Sequence, residues 1–294
     1  MALNRKTCAS MIFGALAAGG LLLAATSASA QGCTRNQLLD TADDYVDAQE
    51  AGMPLKVHMG LWADYNEQMT QSTMATGVIS KPMKVDFYRV LADTVSCSVF
   101  VETAITDPAH PYVIGAIVSQ RGGDVNSFQV VYTDKVNGWL FSPANTAKYS
   151  KAENWSEIPA ADRDSRETLL AAANAYLDLF NDKNVKVPWG TPCARLEGGL
   201  YTSKSAPGQP LAPTDSCNVG VPSGVKIVDR TYVVDPVLGA VSVLSHFGSA
   251  ASPDFHTFRI EHGKIKYIHT ITACKVLPNC GLKLSPEIQA QLSR

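Results

Sequence analysis

A ten-residue pattern occurs twice in the chain, 131 positions apart: residues 38–47 read LLDTADDYVD and residues 169–178 read LLAAANAYLD. Leu, Leu, Ala, Tyr and Asp recur in register. In both copies the apolar positions fall at i, i+4, i+7 and i+8 (Leu38, Ala42, Tyr45, Val46; Leu169, Ala173, Tyr176, Leu177), the spacing of a helix with one buried stripe. Thr34 and Gln37 have capping-box spacing ahead of the first helix, and Asp164 or Ser165 can cap the second. Such a repeat predicts a duplicated domain, and 294 residues leave room for two.

The two halves also close alike. Residues 112–120 and 125–133 are β-rich and flank Arg121-Gly122-Gly123-Asp124, a hairpin turn; residues 255–260 and 265–273 flank Glu261-His262-Gly263-Lys264 in the same way. Residues 225–234 and 239–247 predict a further hairpin around Asp235-Pro236, with Asp235 as a turn residue. A helix first and antiparallel hairpins later predict an α+β fold, each half a helix-covered, curved antiparallel sheet forming a cone whose open mouth leads to a pocket. The expected organisation is a leader at 1–30, an N-terminal domain at 31–150, a C-terminal domain at 160–275 and a tail at 276–294. The boundary falls in the polar, proline-containing stretch 142–164.

Residues 1–30 have the three parts of an export signal: Arg5 and Lys6, an apolar run over 11–25, and Ala28-Ser29-Ala30 before Gln31. The apolar run is too short to span a bilayer comfortably, and Cys33 follows Ala30-Gln31-Gly32 rather than a lipoprotein tetrad. A soluble exported protein, secreted or periplasmic and free of the membrane after cleavage, is expected. Of seven cysteines, Cys8 leaves with the leader, so six would meet an oxidising compartment. Six allow fifteen pairings. The local set Cys33–Cys97, Cys193–Cys217 and Cys274–Cys280 is expected, because each pair then stays within one domain or clips the tail. No CxxC pair supports a metal or redox site. A formal charge of −2 shows no basic excess, which argues against nucleic acid as a partner, and 46% hydrophobic with 18% charged residues describes a globular chain.

The run Val187-Pro188-Trp189-Gly190-Thr191-Pro192-Cys193-Ala194-Arg195-Leu196-Glu197-Gly198-Gly199, followed by Cys217-Asn218-Val219-Gly220-Val221-Pro222-Ser223-Gly224, resembles the DUF8021 family of secreted proteins, common in filamentous fungi. Pro111-Tyr112-Val113-Ile114-Gly115, Trp139-Leu140-Phe141 and the segments Phe255-His256-Thr257-Phe258-Arg259 and Tyr267-Ile268-His269-Thr270 extend the resemblance over most of the chain. It implies two tandem NTF2/SnoaL-like cones and supplies no agreed reaction.

The chemistry is therefore read from residues. If His262-Gly263 is a two-residue loop, Glu261 pairs with Lys264, and strict register then sets His256 opposite His269, Phe258 opposite Tyr267 and Ile260 opposite Ile265 on one face. In the first half the same rule sets Ala116 opposite Gln129, so the imidazoles belong to the second cone alone. Paired histidines can divide general-acid and general-base work, Tyr267 can donate to a developing oxyanion, and Asp254 can orient His256. His256, His269 and Tyr267 are the candidate catalytic residues; Arg195, Glu197, Phe258 and Asp254 are the candidate substrate-binding residues. Arg195 and Glu197 share a face at i, i+2 and either bind a polar substrate group or brace the Cys193 loop as an ion pair. His246, His256 and His269 offer a three-imidazole metal site only if their strands adjoin, and their spacing matches no compact ligand motif. Neither a metal nor a cofactor is expected. Trp62, Trp139, Trp155 and Trp189 are expected to pack.

The leading expectation is an exported, cofactor-free acid–base enzyme of lyase, isomerase or dehydratase type, acting on a small, partly apolar oxygenated compound in the C-terminal cone. The alternatives are a secreted protein that binds a small ligand without turnover and an inert surface module. The oligomeric state is left open.

Overall fold

In the computed structural model, which describes residues 33–281 and 283–293, Thr34 opens the first helix. Its side chain accepts from the Gln37 N–H while the Gln37 side chain accepts from the Thr34 N–H, and α1 (Arg35–Ala51) runs until Gly52 ends it in the left-handed region at φ 63°. A Cβ at Gly52 would also stand 2.7 Å from the Pro82 nitrogen, so the turn requires glycine twice over. Leu38, Ala42, Tyr45 and Val46 are buried as the periodicity predicts. The expected leader and Cys8 lie outside the described residues.

Six strands follow: β1 (Met59–Glu67), β2 (Thr70–Gln71), β3 (Phe87–Asp93), β4 (Ser98–Ile105), β5 (Tyr112–Arg121) and β6 (Asp124–Thr133). They form one mixed sheet in the order β2-β1-β6-β5-β4-β3, with β1 and β6 parallel. After α2 (Pro143–Ala152) the plan repeats: α3 (Arg166–Leu179), β7 (Trp189–Glu197), β8 (Leu200–Tyr201), β9 (Ile227–Asp235), β10 (Ala240–Phe247), β11 (Ser252–Glu261) and β12 (Lys264–Thr272). The second sheet has the matching order β8-β7-β12-β11-β10-β9. Ser165, rather than Asp164, caps α3 by accepting from the Thr168 N–H. The last helix, α4 (Pro286–Leu292), belongs to the tail. The protein is thus an α+β chain with two tandem six-stranded sheets, each covered by the repeated helix.

Two cores lie between helix and sheet. One joins Leu38, Tyr45, Ala116 and Phe128; the other joins Leu169, Tyr176, Phe258 and Ile268. A third lies between the sheets, where Leu91, Phe100, Val113 and Val131 of the first meet Leu244, Phe255 and Ile271 of the second. Phe100 and Phe255 meet across it with centroids 4.9 Å apart and ring planes tilted by 46°, and Gly115 leaves the room, since a Cβ there would stand 2.6 Å from the Phe255 ring. Both faces of each sheet are therefore buried, which is why residues 98–105 and 252–260 read as unbroken buried runs.

Three departures from the sequence reading have plain causes. The boundary stretch contains α2, whose buried residues are Pro143, Asn145, Thr146, Ala147 and Ser150; with little apolar periodicity, the helix is silent to a hydrophobic reading. Trp62 is 87% exposed instead of packed, because β1 bulges away from β6 between Met59 and Asp64 and carries Leu61 and Trp62 outward. Both closing hairpins also hold a β-bulge. In the second, Glu261 pairs with Lys264 and Ile260 with Ile265, but Arg259 pairs with Tyr267, so Lys266 is the extra residue. In the first, Asn126 is extra in the same way.

Candidate functional site

The bulge at Lys266 corrects the expected histidine pair. One inserted residue carries every later side chain of β12 to the other face. His256 therefore pairs with Thr270, and His269 pairs with Thr257. In the first half Ala116 pairs with Val130 and not with Gln129. His256 faces α3, whereas His269 and Tyr267 lie on the other face, His269 against Glu102 of the first sheet and Tyr267 against Trp155.

Pairing across three strands builds a polar floor under a cavity of about 670 Å³. Thr270 lies between His256 on β11 and Glu197 on β7, and Ile268 lies between Phe258 and Arg195. His256, Thr270, Glu197, Arg195 and Thr272 all line the cavity. Its walls are apolar: Phe180, Leu200, Val225 and Phe247 come from the second half, Trp139 and Leu140 from the connecting segment, and Ile288 from α4. Trp139 is held there by donating its N–H to the Thr272 carbonyl at 3.1 Å, and Gly199 donates to the Leu140 carbonyl at 2.7 Å.

His256 is 2% exposed, and its Nδ1 lies 2.5 Å from Asp254 Oδ2. Asp254 is fully buried and accepts through Oδ1 from Thr272 Oγ1 at 2.6 Å. Burial alone would push the imidazole down, but the Asp254 carboxylate outweighs it and the His256 pKa is raised above 6.5. Nδ1–H is thereby directed at Asp254, and Nε2 makes no hydrogen bond to protein among the described residues. Asp254 stands behind the histidine, as the sequence suggests for an orienting group.

Arg195 Nε lies 3.2 Å from Glu197 Oε1, close enough to pair but without hydrogen-bond alignment. The guanidinium also donates to Tyr176 Oη at 3.1 Å and to the Val219 carbonyl at 2.6 Å, while Thr270 Oγ1 donates to Glu197 Oε2 at 3.3 Å. Phe258 is part of the helix–sheet core and does not reach the cavity.

His269 is 1% exposed and lies in a buried charge cluster between the sheets. Its Nε2 is 2.7 Å from Glu153 Oε2 and its Nδ1 is 3.0 Å from Glu102 Oε1, while Arg89 donates to Glu102 at 3.0 Å. Burial opposes the charged ring, but the two carboxylates raise its pKa to about 9. Trp155 closes the cluster, 3.8 Å from the Arg89 guanidinium. Tyr267 stacks on Trp155 with centroids 6.2 Å apart. His246 is paired with Asp229 at 2.9 Å, so the three imidazoles do not converge.

The first half has no counterpart of the floor. Ala116 stands where His256 does, and Glu67, which pairs with Val130 as Glu197 does with Thr270, is consumed by the Tyr65 hydroxyl at 2.5 Å and the Val78 N–H. Val78 and Ile79 are buried in the same core as Ala116. Sequence reasoning missed Thr270, Thr272, Tyr176 and Trp139 as site residues. Thr270 and Thr272 carried a legible signal, alternate spacing on one strand; Trp139 carried none.

The six cysteines form Cys33–Cys97, Cys193–Cys217 and Cys274–Cys280, the expected set. Among the described residues no helix is long and apolar enough to cross a membrane, and no group of three or more His, Cys, Asp or Glu is placed to hold a metal ion.

The fold and cavity define an α+β chain with a histidine–aspartate pair in its second half. Residues 162–272 match the family model described as Domain of unknown function (DUF8021). That segment contains Arg195, Glu197, Asp254, His256, Thr270 and Thr272 but not Trp139 or Ile288. A solved structure, a DUF4783 family protein from Bacteroides fragilis YCH46, aligns with 16% identity over 31% of this chain and 96% of its own, at a TM-score of 0.23. No curated protein gives a significant match.

Proposed function

We propose that this protein is an exported acid–base enzyme of lyase, isomerase or dehydratase type whose second half, an NTF2/SnoaL-like cone, acts on a small, partly apolar oxygenated compound. The observation that carries the reading is His256: its Nδ1 is held by Asp254 while its Nε2 is left to a largely apolar cavity. An imidazolium fixed in this way can give a proton to a substrate oxygen and take one back, with Asp254 stabilising the charged ring before the first transfer and after the second. Glu197, across Thr270 on the same floor and 3.2 Å from Arg195, is the second group placed to move a proton. His269 and Tyr267 take no part, because they face the other way. The three disulfides support export.

The test is a turnover screen of the protein and its His256→Gln variant against aromatic and sugar-derived hydroxy and carbonyl compounds. The variant should lose about two to four orders of magnitude in turnover, the usual worth of a general acid or base. Undiminished turnover in His256→Gln would retire the assignment. The apolar walls also suit a protein that sequesters its ligand unchanged, for which the same screen returns binding and no product.

A further inference from the structure

The charged side chains that reach the cavity are Arg195, Glu197 and His256, and each is met by an opposite charge on the protein. Arg195 lies against Glu197, and His256 against Asp254. The floor thus consists of two ion pairs with no charge left over, set beneath walls of Trp139, Phe180, Phe247 and Ile288. A charged ligand group brought into this site would lose its hydration and meet no uncompensated partner, while raising the energy of one of the two existing pairs. A neutral hydroxyl or carbonyl meets neither penalty, because His256 Nε2 and the hydroxyls of Thr270 and Thr272 can exchange hydrogen bonds with it. A volume of about 670 Å³ is in the range of sites that enclose a whole small molecule.

From this we infer that the C-terminal cavity selects uncharged amphiphiles: an apolar body against the aromatic and aliphatic walls, and one neutral hydroxyl or carbonyl on the His256–Thr270–Glu197 row. The inference rests on the reading of this cavity as the ligand site and deepens it by naming the ligand class. At the equivalent place in the first half Ala116 replaces the imidazole, and Val78 and Ile79 are buried in the same core.

Calorimetric titration of the full chain with decan-1-ol, decan-2-one, decanoate and decylammonium, at about pH 6 and below aggregation of each probe, tests it. The alcohol and ketone should bind at least about tenfold more tightly than either ion, a ratio equivalent to one ion meeting a modest desolvation penalty. Glu197→Gln leaves Arg195 without its carboxylate and should reverse the order in favour of decanoate. Arg195→Gln leaves Glu197 bare and should favour decylammonium. Equal binding of ions and neutral probes by the unaltered protein, binding of none of the four, or a Glu197→Gln variant that still rejects decanoate would each overturn the inference. Neutral-selective binding without turnover in any screen would keep this inference and remove the acid–base reading; turnover without charge preference would do the reverse.

Discussion

Arg166, the first residue of α3, grips Asp93, the last residue of β3 in the other half, through two parallel hydrogen bonds of 2.7 and 2.8 Å. The first residue of α1, Arg35, binds Asp235 at the end of β9 through one nitrogen, Nη1, which lies 2.7 and 2.8 Å from the two carboxylate oxygens. The backbone repeats the exchange: Val234 donates to Asp93 and Ala92 donates to Asp235. Each half thus caps the other with one arginine and one aspartate. The turn residue expected at Asp235 does hold its turn, accepting from Val237 and Leu238, but its second oxygen belongs to the interface between the sheets.

Asp93 is fully buried, so removing Arg166 strands a charge, and Arg166→Ala should cost about 3–5 kcal/mol in urea unfolding. Burial works to raise the Asp93 pKa, but hydrogen bonds from Arg166 and from the Val234 and Ser96 N–H groups outweigh it and hold the carboxyl below 3.8. A lowered carboxyl stabilises the fold above its unfolded value and loses that contribution as the pH falls through the folded one. Acid unfolding of the unaltered protein should therefore steepen below about pH 4, and Asp93→Asn should be less stable near neutrality with a flatter acid limb.

The three disulfides predict that these six cysteines resist alkylation without reductant and that non-reducing peptide mapping recovers three cross-linked pairs joining Cys33 to Cys97, Cys193 to Cys217 and Cys274 to Cys280. Six free thiols would contradict the fold at all three places. Cys193–Cys217 matters most to the cavity, since it ties the loop carrying Val219 and Pro222 to β7. Cys193→Ser with Cys217→Ser should weaken binding of decan-1-ol more than it shifts global unfolding of the N-terminal half.

How far the sequence reaches is clearest at β12. The repeated helices, both closing hairpins and the disulfide set follow from periodicity, turn residues and proximity, and Arg195 with Glu197 follows from alternate spacing on one strand. The face on which His269 lies does not follow. It depends on a bulge at Lys266, and a polar residue near a hairpin turn looks the same whether it is paired or extruded. The cavity is equally hidden: its lining joins Thr202, Val219, Pro222 and Val225 of the 202–226 segment to Trp139 and Ile288 from distant parts of the chain. Both are packing outcomes between distant segments, with no local period to betray them.

His256 supplies a direct spectroscopic check. The Asp254 carboxylate lifts its pKa against the pull of burial, so its imidazole should titrate above 6.5 by NMR, and Asp254→Asn should lower the midpoint. The linkage runs opposite to that of Asp93: this pair adds stability below the unfolded histidine value, and the contribution fades as the pH rises through the folded one. A midpoint unmoved by Asp254→Asn would mean that the 2.5 Å contact does not set the charge state.

His269 should behave as a structural cation. With its pKa near 9 it is charged at neutral pH, donating to Glu102 and Glu153 from both ring nitrogens. Its contribution to stability is complete below 6.5 and lost as the pH rises towards 9, so unfolding free energy should decline through that window. In His269→Ala the two buried glutamates share only Arg89 as a cationic partner, and the loss should reach about 3 kcal/mol or more at neutral pH, with the alkaline decline abolished. Because the ring faces the first sheet, a folded His269→Ala protein should still bind decan-1-ol in the C-terminal cavity, whereas His256→Ala should bind it more weakly and, by stranding the buried Asp254 carboxylate, should also lose stability. Exchange of these two phenotypes would place the working imidazole on the wrong side of the Lys266 bulge.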